Sequence, residues 1–323
     1  MAKLRIKRYV TVDAFRGFAV LLMIFVSSLY LLTDKRSLPL FMMHNQGDIL
    51  LFFDLVAPMF QFILGMSLFF FITHRGAHGF TRKEIARYVI GRYIILILLG
   101  FVLDIITYLD ICSWGVLETL GVGGLITFIV SERKNNEKAF ICVLILVVYS
   151  LLYSNPTFQL ILSMPHGGPI GALPYSVISI LGFVVAQSLY KRKNDTSFIS
   201  FIFKNAIFFL AVGIILSLII PFNKTRVSTS FVLVSISIVM LFYMLFFTIY
   251  KTLNYKFDRL RLLGRAALTM WVLQYIFGWI FLFVIQKKQF LGLIEGIISS
   301  VFVVLIMLLI AYILDKHKIR INF

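Results

Sequence analysis

The sequence predicts an all-α, polytopic integral membrane protein with about ten transmembrane helices. Apolar residues make up 60% of the 323 positions, and the mean hydropathy is +0.97. Runs of about 18 or more apolar residues recur along the whole chain, which is the length that a helix needs to cross a bilayer. The alternating pattern of an outer-membrane barrel is missing. Because no linker or low-complexity tract interrupts these runs, we expect one membrane domain over residues 1–323.

The hydrophobic runs place the spans in chain order, and two of them are short. The fourth and fifth contain only about fifteen to seventeen residues each, which is brief for a bilayer crossing. The predicted spans are 12–32, 49–73, 89–108, 114–130, 139–153, 170–190, 198–221, 229–250, 265–286 and 291–314.

The basic residues divide unequally between the two sides that these spans define. One side, which includes both chain ends, holds 25 of the 31 Lys and Arg residues. The other six are Lys35, Arg36, Lys224, Arg226, Lys287 and Lys288. The positive-inside rule therefore predicts cytoplasmic N- and C-termini, and we expect the plasma membrane of a prokaryote. Most of the formal charge of +17 thus lies in loops on one side of the membrane, where anionic lipid headgroups are the expected partner. The charge therefore does not imply binding to nucleic acid.

Neither the cysteines nor the familiar cofactor motifs indicate a metal or a soluble-type cofactor. Cys112 and Cys142 lie on different predicted segments near opposite faces, so neither a disulfide nor a metal site is expected. The chain has no phosphate-binding loop, dinucleotide fingerprint, HExxH or GxSxG sequence.

The first span begins with TVDAFRG, Thr11 to Gly17. Asp13 and Arg16 are three residues apart and share a helix face. Two interpretations have equal weight. The pair anchors the start of the span, or Arg16 helps to bind an anion such as a phosphate at the cytoplasmic mouth.

A histidine and an aspartate mark the start of the second span. His44 precedes the apolar run and Asp54 lies within it, about one and a half turns or roughly 8 Å from the outer face. A carboxylate in a span is costly and needs a partner or a function. A neighbouring carboxylate fixes the tautomer of an imidazole and raises its basicity. The pair would suit proton removal from an amine or hydroxyl, or transient acylation of His44.

Further polar residues interrupt later spans. Glu118 lies in the apolar, glycine-rich stretch from Ser113 to Ile126, which indicates either a helix-packing face or a ligand contact. Asn223 and Lys224 lie in a charged outer turn, PFNKTRVSTS. Gln274 lies inside the ninth span, where it could bind a neighbouring helix or a substrate.

These stretches together resemble the transmembrane acyltransferases related to heparan-α-glucosaminide N-acetyltransferase. The matching sequences are RYVTVDAFRGFAVLLMIFV, His44 followed after nine residues by DLVAPMFQFILG, GVLETLGV and PFNKTRVSTSFVL. The segment GRAALTMWVLQ is also similar to a related family of bacterial membrane proteins. The matches follow the same order as in the family and cover most of the chain.

The resemblance implies a function and a set of site residues. It implies a fold of ten or eleven helices that transfers acetyl from cytosolic acetyl-CoA to a sugar amine across the membrane, with His44 as the catalytic histidine. The family has an asparagine near the end of the first span that assists this histidine, where the present chain has Ser27. A serine can donate or accept a hydrogen bond but lacks the reach of an amide.

We therefore interpret the chain as a membrane-embedded, acyl-CoA-dependent N- or O-acyltransferase. Its donor substrate is acetyl-CoA or another acyl-CoA, and its acceptor is a sugar or glycan at the outer face. Membrane lipid and a second copy of the chain in a homodimer are further expected partners. The predicted catalytic residues are His44 and Asp54. The predicted substrate-binding residues are Asp13, Arg16, Ser27, Glu118, Asn223, Lys224 and Gln274.

Two other classes of protein fit the same composition. A transporter or flippase for an anionic or glycolipid solute would also have buried charges and a basic inner mouth, although no inverted repeat is evident. An inactive acyltransferase-like scaffold is the other alternative, and the serine at position 27 prompts it.

Overall fold

The computed structural model describes residues 10–43, 48–108, 113–192, 194–285 and 290–319. All the named elements in these ranges are helical, as predicted. The α-helices are α1 (Val10–Leu32), α2 (Val56–Ala77), α3 (Arg82–Tyr108), α4 (Val116–Val130), α5 (Asn135–Ser154), α6 (Gln159–Leu162), α7 (Gly168–Lys191), α8 (Asp195–Ser217), α9 (Thr229–Leu253), α10 (Asp258–Arg265), α11 (Ala267–Ile285) and α12 (Leu293–Lys316).

Eight helical segments within the described ranges are long and apolar enough to cross a membrane, which supports an integral membrane protein. The segments correspond to α1, α2, α3, α5, α7, α8, α9 and α12. The other two predicted spans coincide with apolar helices that fall short of this length, Val116–Val130 and the portion Ala267–Ile280 of α11. Each predicted span thus coincides with a helix in the described ranges, but the count of ten crossings and the cytoplasmic position of the termini stay predictions.

The second span begins later than the sequence suggested. The predicted start was residue 49, whereas a short 3₁₀ turn covers Phe52–Leu55 and the α-helix begins at Val56. Pro58 lies in the first turn of α2, where its missing N–H group breaks no helical hydrogen bond. Asp54 therefore lies at the entrance of the span rather than one and a half turns inside it.

The described residues group into two compact units by their internal contacts. The first unit consists of residues 48–50 and Ala57–Leu245, and it contains α3 to α8 with most of α2 and α9. The second unit consists of residues 10–43, Leu51–Val56, 246–285 and 290–319, and it contains α1, α10, α11 and α12. The single domain expected over residues 1–323 stays a prediction.

In the first unit, α2 and α7 cross at a pair of glycines. A Cβ atom on Gly65 would overlap the backbone of Ser179, and one on Gly182 would overlap the backbone of Phe62. Since each glycine lies against the other helix's backbone, the two helices approach as closely as their main chains allow. Next to this crossing, the buried hydroxyls of Thr127 and Ser179 lie 2.5 Å apart and join α4 to α7.

In the second unit, α1 crosses the short helix α10 in the same way. A Cβ atom on Gly17 would overlap the carbonyl of Leu260, and one on Gly264 would overlap the carbonyl of Asp13. At its far end, α1 leads into a backbone pairing in which Leu291 donates to Leu32 O (3.0 Å) and accepts from Asp34 N (3.1 Å). The two ends of α1 are thus fixed by different partners of the same unit.

Candidate functional site

Asp54 is fully buried, and its position follows from a local hydrogen bond. The 3₁₀ turn holds it three residues after Leu51, whose backbone N–H donates to Asp54 Oδ2 (3.2 Å). This is the geometry by which an acidic residue satisfies a free donor at a helix start. The carboxylate also interacts electrostatically with Tyr30, near the end of α1. Tyr30 is not among the site residues that the sequence predicts, because nothing in the spacing of Tyr30 and Asp54 places them near each other.

His44 lies outside the described residues. Its role as the catalytic histidine and its contact with Asp54 therefore stay predictions.

Ser27 and Gln274 lie at the same level of the second unit, as the course of α1 and α11 shows. α10 packs against Gly17 near the start of α1, and α11 follows directly after α10. Further along, Gly278 of α11 approaches Leu31 near the end of α1, so the two helices run in the same direction. Ser27 and Gln274 each lie one turn before these contact residues and on the same helix face as them.

The side-chain oxygen of Gln274 is buried and has no hydrogen-bond partner within the part of the chain that the structure describes. A buried amide oxygen normally has a partner, so this atom offers an acceptor to a bound molecule. Ser27 is exposed within the isolated chain. Three predicted site residues, namely Ser27, Asp54 and Gln274, thus belong to the end of the second unit where α1 finishes.

Asp13 and Arg16 occupy the opposite end of α1. Arg16 Nη1 lies 3.4 Å from Asp13 Oδ1, which confirms that the two residues share a helix face, and 3.3 Å from the carbonyl oxygen of Gly264. These contacts anchor α1 to α10. Arg16 lies about 16 Å along the helix from Ser27, since eleven residues separate them. A role for Arg16 in anion binding stays a prediction.

Glu118 belongs to the first unit and is fully buried at the start of α4. Its Oε2 accepts the backbone N–H of Gly115 (3.1 Å), whereas Oε1 has no hydrogen-bond partner among the described residues. A Cβ atom on Gly100 of α3 would lie 2.5 Å from the carboxyl carbon, so the carboxylate occupies space that only glycine leaves open.

A second buried carboxylate, Asp104, lies beside Glu118. A Cβ atom on Gly115 would stand 2.6 Å from Asp104 Oδ2 and 3.0 Å from Glu118 Oε2, so these oxygens are at most 5.6 Å apart. Ser113 donates to Asp104 Oδ2 (3.1 Å), and the described residues place no Lys or Arg within ion-pair distance of either acid. Within the described ranges the pair is thus two acids without a cation, which was not expected from the sequence.

Asn223 and Lys224 lie in the loop between α8 and α9 of the first unit. Asn223 Oδ1 accepts a hydrogen bond from the backbone N–H of Arg226 (2.8 Å). The backbone N–H of Asn223 donates to Ser228 Oγ (2.9 Å). Tyr149 of α5 donates from its hydroxyl to the carbonyl oxygen of Arg226. The amide oxygen of Asn223 thus shapes the turn, and a role for Asn223 or Lys224 in acceptor binding stays a prediction.

The same loop contains a strained residue. Val227 is fully buried and has φ +53°, in the left-handed region that β-branched residues rarely adopt. The surrounding hydrogen bonds hold it in this conformation.

The described residues contain no group of three or more His, Cys, Asp or Glu side chains that could hold a metal ion. The described residues are those of a helical membrane protein with buried carboxylates at the starts of helical segments and a buried amide within α11. A sequence model of the family described as "Heparan-alpha-glucosaminide N-acetyltransferase, catalytic" matches residues 8–208, more than half of the chain. The chain belongs to this family. A comparison with curated proteins finds no match.

The matched range includes six of the predicted site residues and leaves out three. Asn223, Lys224 and Gln274 lie beyond residue 208. The included residues are Asp13, Arg16, Ser27, His44, Asp54 and Glu118.

Proposed function

We propose that the protein transfers an acetyl or other acyl group from cytosolic acyl-CoA to an amino or hydroxyl group of a sugar or glycan at the outer face. Membership of the family supports the reaction class. The observation that carries the assignment of residues is the complete burial of the Asp54 carboxylate, ten positions after His44. A buried carboxylate in a membrane protein is costly unless it orients or charges a neighbouring group.

His44 would act in one of two ways. As a general base, it takes the proton of the acceptor amine or hydroxyl while the acceptor attacks the thioester carbonyl. The new C–N or C–O bond forms, the C–S bond breaks, and the CoA thiolate leaves and takes up a proton. Alternatively, the imidazole first accepts the acyl group and releases CoA, and the acceptor then attacks the acyl-imidazole. Asp54 orients the ring in both schemes.

The donor would reach this site from the cytoplasmic side. Arg16 lies about 16 Å along α1 from Ser27, and an extended pantetheine arm spans a comparable part of the roughly 30 Å hydrocarbon core. The nucleotide phosphates would remain near basic residues, and the thioester would lie near the end of α1. Gln274 Oε1, buried without a partner in the described ranges, would accept a hydrogen bond from the donor or the acceptor.

The experiment is a transfer assay with the purified full-length protein in lipid nanodiscs. Acetyl-CoA labelled in the acetyl group is incubated with glucosamine and other amino sugars, and labelled products are separated from the donor. We expect transfer by the wild type and a loss of at least about a hundredfold in His44→Ala, the typical contribution of a general base. His78→Ala is the control, since His78 is an exposed histidine at the end of α2. Absence of transfer and of CoA binding in the wild type would refute the proposal.

A further inference from the structure

A buried lysine lies at the start of α5. Only 2% of Lys138 is exposed, and its ammonium nitrogen lies 4.7 Å from the centre of the Phe183 ring on α7. Phe183, Gln187 and Lys191 follow each other at intervals of four on α7, so they share one face of that helix. We refer to Lys138, Phe183, Gln187 and Lys191 as the lysine cluster.

Among the described residues, no ion pair balances the positive charge of the lysine cluster. No carboxylate in the described ranges lies within ion-pair distance of Lys138, and the ammonium group of Lys191 is close enough to repel it. The nearest acidic residue in sequence, Glu137, pairs instead with Arg133 at 3.7 Å. A lysine is rarely buried to this extent without a partner.

The helix end adds to the imbalance. Lys138 lies in the first turn of α5, where the helix dipole is positive, and no side chain caps this end at Lys134. The side-chain oxygen of Gln187 is also buried and has no hydrogen-bond partner among the residues described. Because the O and N atoms of an amide are assigned from their partners, Gln187 can equally present its NH₂ group to an acceptor. Two ammonium groups and an amide on the adjoining face of α7 thus lie near the first turn of α5, and this arrangement favours an anion.

We propose that the lysine cluster binds a phosphate group. Lys138 and Lys191 supply the charge, and Gln187 supplies a further hydrogen bond. Both lysines belong to segments that the charge distribution assigns to the cytoplasmic side, where two sources of phosphate occur. One source is the nucleotide part of the acyl-CoA donor, and this version rests on the proposed function. The other is the headgroup of an anionic lipid, and this version does not.

The first experiment measures CoA binding by calorimetry to the full-length protein in phosphatidylcholine nanodiscs. Pantetheine, which has the same arm without the phosphates, is the comparison ligand. If the phosphate belongs to the donor, the Kd for CoA rises about tenfold in both Lys138→Gln and Lys191→Gln, while pantetheine binding stays unchanged. Lys134→Gln is the matched control, since it removes the same charge from the same helix end outside the lysine cluster, and we expect its Kd to stay within about twofold of the wild type.

The second experiment tests the lipid as the source. Nanodiscs are prepared with phosphatidylglycerol, whose phosphate is not neutralised by a choline group, and Tm is compared with that in phosphatidylcholine. If a lipid occupies the lysine cluster, CoA binding is the same in all variants, and the rise in Tm on phosphatidylglycerol is lost in Lys138→Gln and Lys191→Gln but kept in Lys134→Gln.

The outcomes separate this inference from the proposed function. If neither CoA affinity nor the lipid-dependent Tm distinguishes the cluster variants from Lys134→Gln, the phosphate site is refuted, whatever the wild type catalyses. If the wild type does not bind CoA at all, the donor assignment fails and the lipid measurement decides the site. Should Lys138→Gln fail to fold, Lys191→Gln decides alone, because Lys191 is exposed and its loss leaves no buried gap.

Discussion

At the scale of residues, the carboxylates of this chain repeat one local arrangement. Asp54, Glu84, Glu118 and Glu295 each accept the backbone N–H of the residue three positions earlier, at 2.7 to 3.3 Å, where a helical segment begins. This contact satisfies a donor at a helix start and favours a negative charge there. Asp54 and Glu118 differ from the other two because they are fully buried. Capping alone explains an acid at these positions, but it does not explain why the two acids are hidden from solvent.

The first prediction concerns the charge of Asp54. Asp54→Asn keeps an oxygen that can accept the Leu51 N–H but removes the negative charge beside the predicted catalytic histidine. We expect Tm within a few degrees of the wild type and a transfer rate at least about a hundredfold lower, because an imidazole without its carboxylate is a weaker and less oriented base. The labelled transfer assay and a thermal unfolding scan measure the two effects.

Glu295→Gln is the control for Asp54→Asn, since it makes the same change at the start of α12, where Glu295 accepts the N–H of Gly292 (3.3 Å). We expect full activity from this variant. An equal loss of activity in both variants would show that helix capping, and not the charge of Asp54, matters for transfer.

The second prediction concerns the two acids without a cation. Replacing either member of the Asp104–Glu118 pair by its amide removes the repulsion between two buried charges, or the cost of keeping one acid protonated. We therefore expect Glu118→Gln and Asp104→Asn each to raise Tm, by an amount equivalent to about 1 kcal/mol or more. The rise in Tm of the double variant should be smaller than the sum of the two single rises, because one neutral member already removes the repulsion between the acids.

Glu132→Gln serves as the comparison, since Glu132 is exposed and pairs with Arg82 at 3.0 Å. We expect no rise in Tm from this variant. Lower Tm values in both single variants would mean that the pair holds a cation in the membrane.

The sequence predicted some of these residue contacts and missed others for a physical reason. The spacing of three between Asp13 and Arg16 is a property of one helix, so their ion pair could be read directly. The electrostatic interaction of Tyr30 with Asp54 and the proximity of Asp104 to Glu118 depend on how separate segments pack. No local pattern encodes such contacts, although an acid within the apolar run of α3 was a signal that could have been followed.

At the scale of elements, the long apolar helices were easier to predict than the short, charged helix α10. All ten apolar helices follow from long hydrophobic runs, since burial of such runs in a bilayer dominates every other preference. The helix α10 was missed because DRLRLLGR has eight residues, half of them charged, and no apolar run. Its packing against α1 depends on Gly17 and Gly264, which lie far apart in sequence.

The third prediction tests the close helix crossings. Gly65→Ala and Gly17→Ala each place a methyl group on a backbone carbonyl of the facing helix, which cannot move aside as a side chain can. We expect each variant to lower the unfolding free energy by about 2 kcal/mol or more, or to prevent folding. Thermal unfolding in nanodiscs and the yield of folded protein measure the effect.

Gly76→Ala and Gly91→Ala are the matched controls, because a Cβ atom at either position meets nothing within 4 Å. Both lie inside helices, so alanine should leave stability unchanged or raise it by up to about 1 kcal/mol. If the crossing glycines tolerated alanine as well as the controls do, the helices would not be in backbone contact at these points.

At the scale of the whole molecule, charge distribution gives an orientation that helix positions alone do not. Eight helical segments in the described ranges have the length and composition of spans, but length and composition are the same in either direction. The excess of Lys and Arg on one side predicts the direction, because basic loops are usually retained in the cytoplasm. The proposed reaction depends on this orientation, since it would take the acyl group from cytosolic acyl-CoA and deliver it to an external acceptor.

The fourth prediction tests the orientation in intact cells. Single cysteines are introduced at Asn155, in the turn after α5, and at Asn194, in the turn before α8, with Cys112 and Cys142 replaced by serine. Both asparagines are exposed in the isolated chain. A membrane-impermeant maleimide should label position 155 in intact cells and position 194 only after permeabilisation, because 194 belongs to the basic side. The reverse pattern would place the basic loops outside. The buried Asp54 and the predicted His44 would then lie on the side that acyl-CoA occupies, so the transfer would begin and end in the cytoplasm.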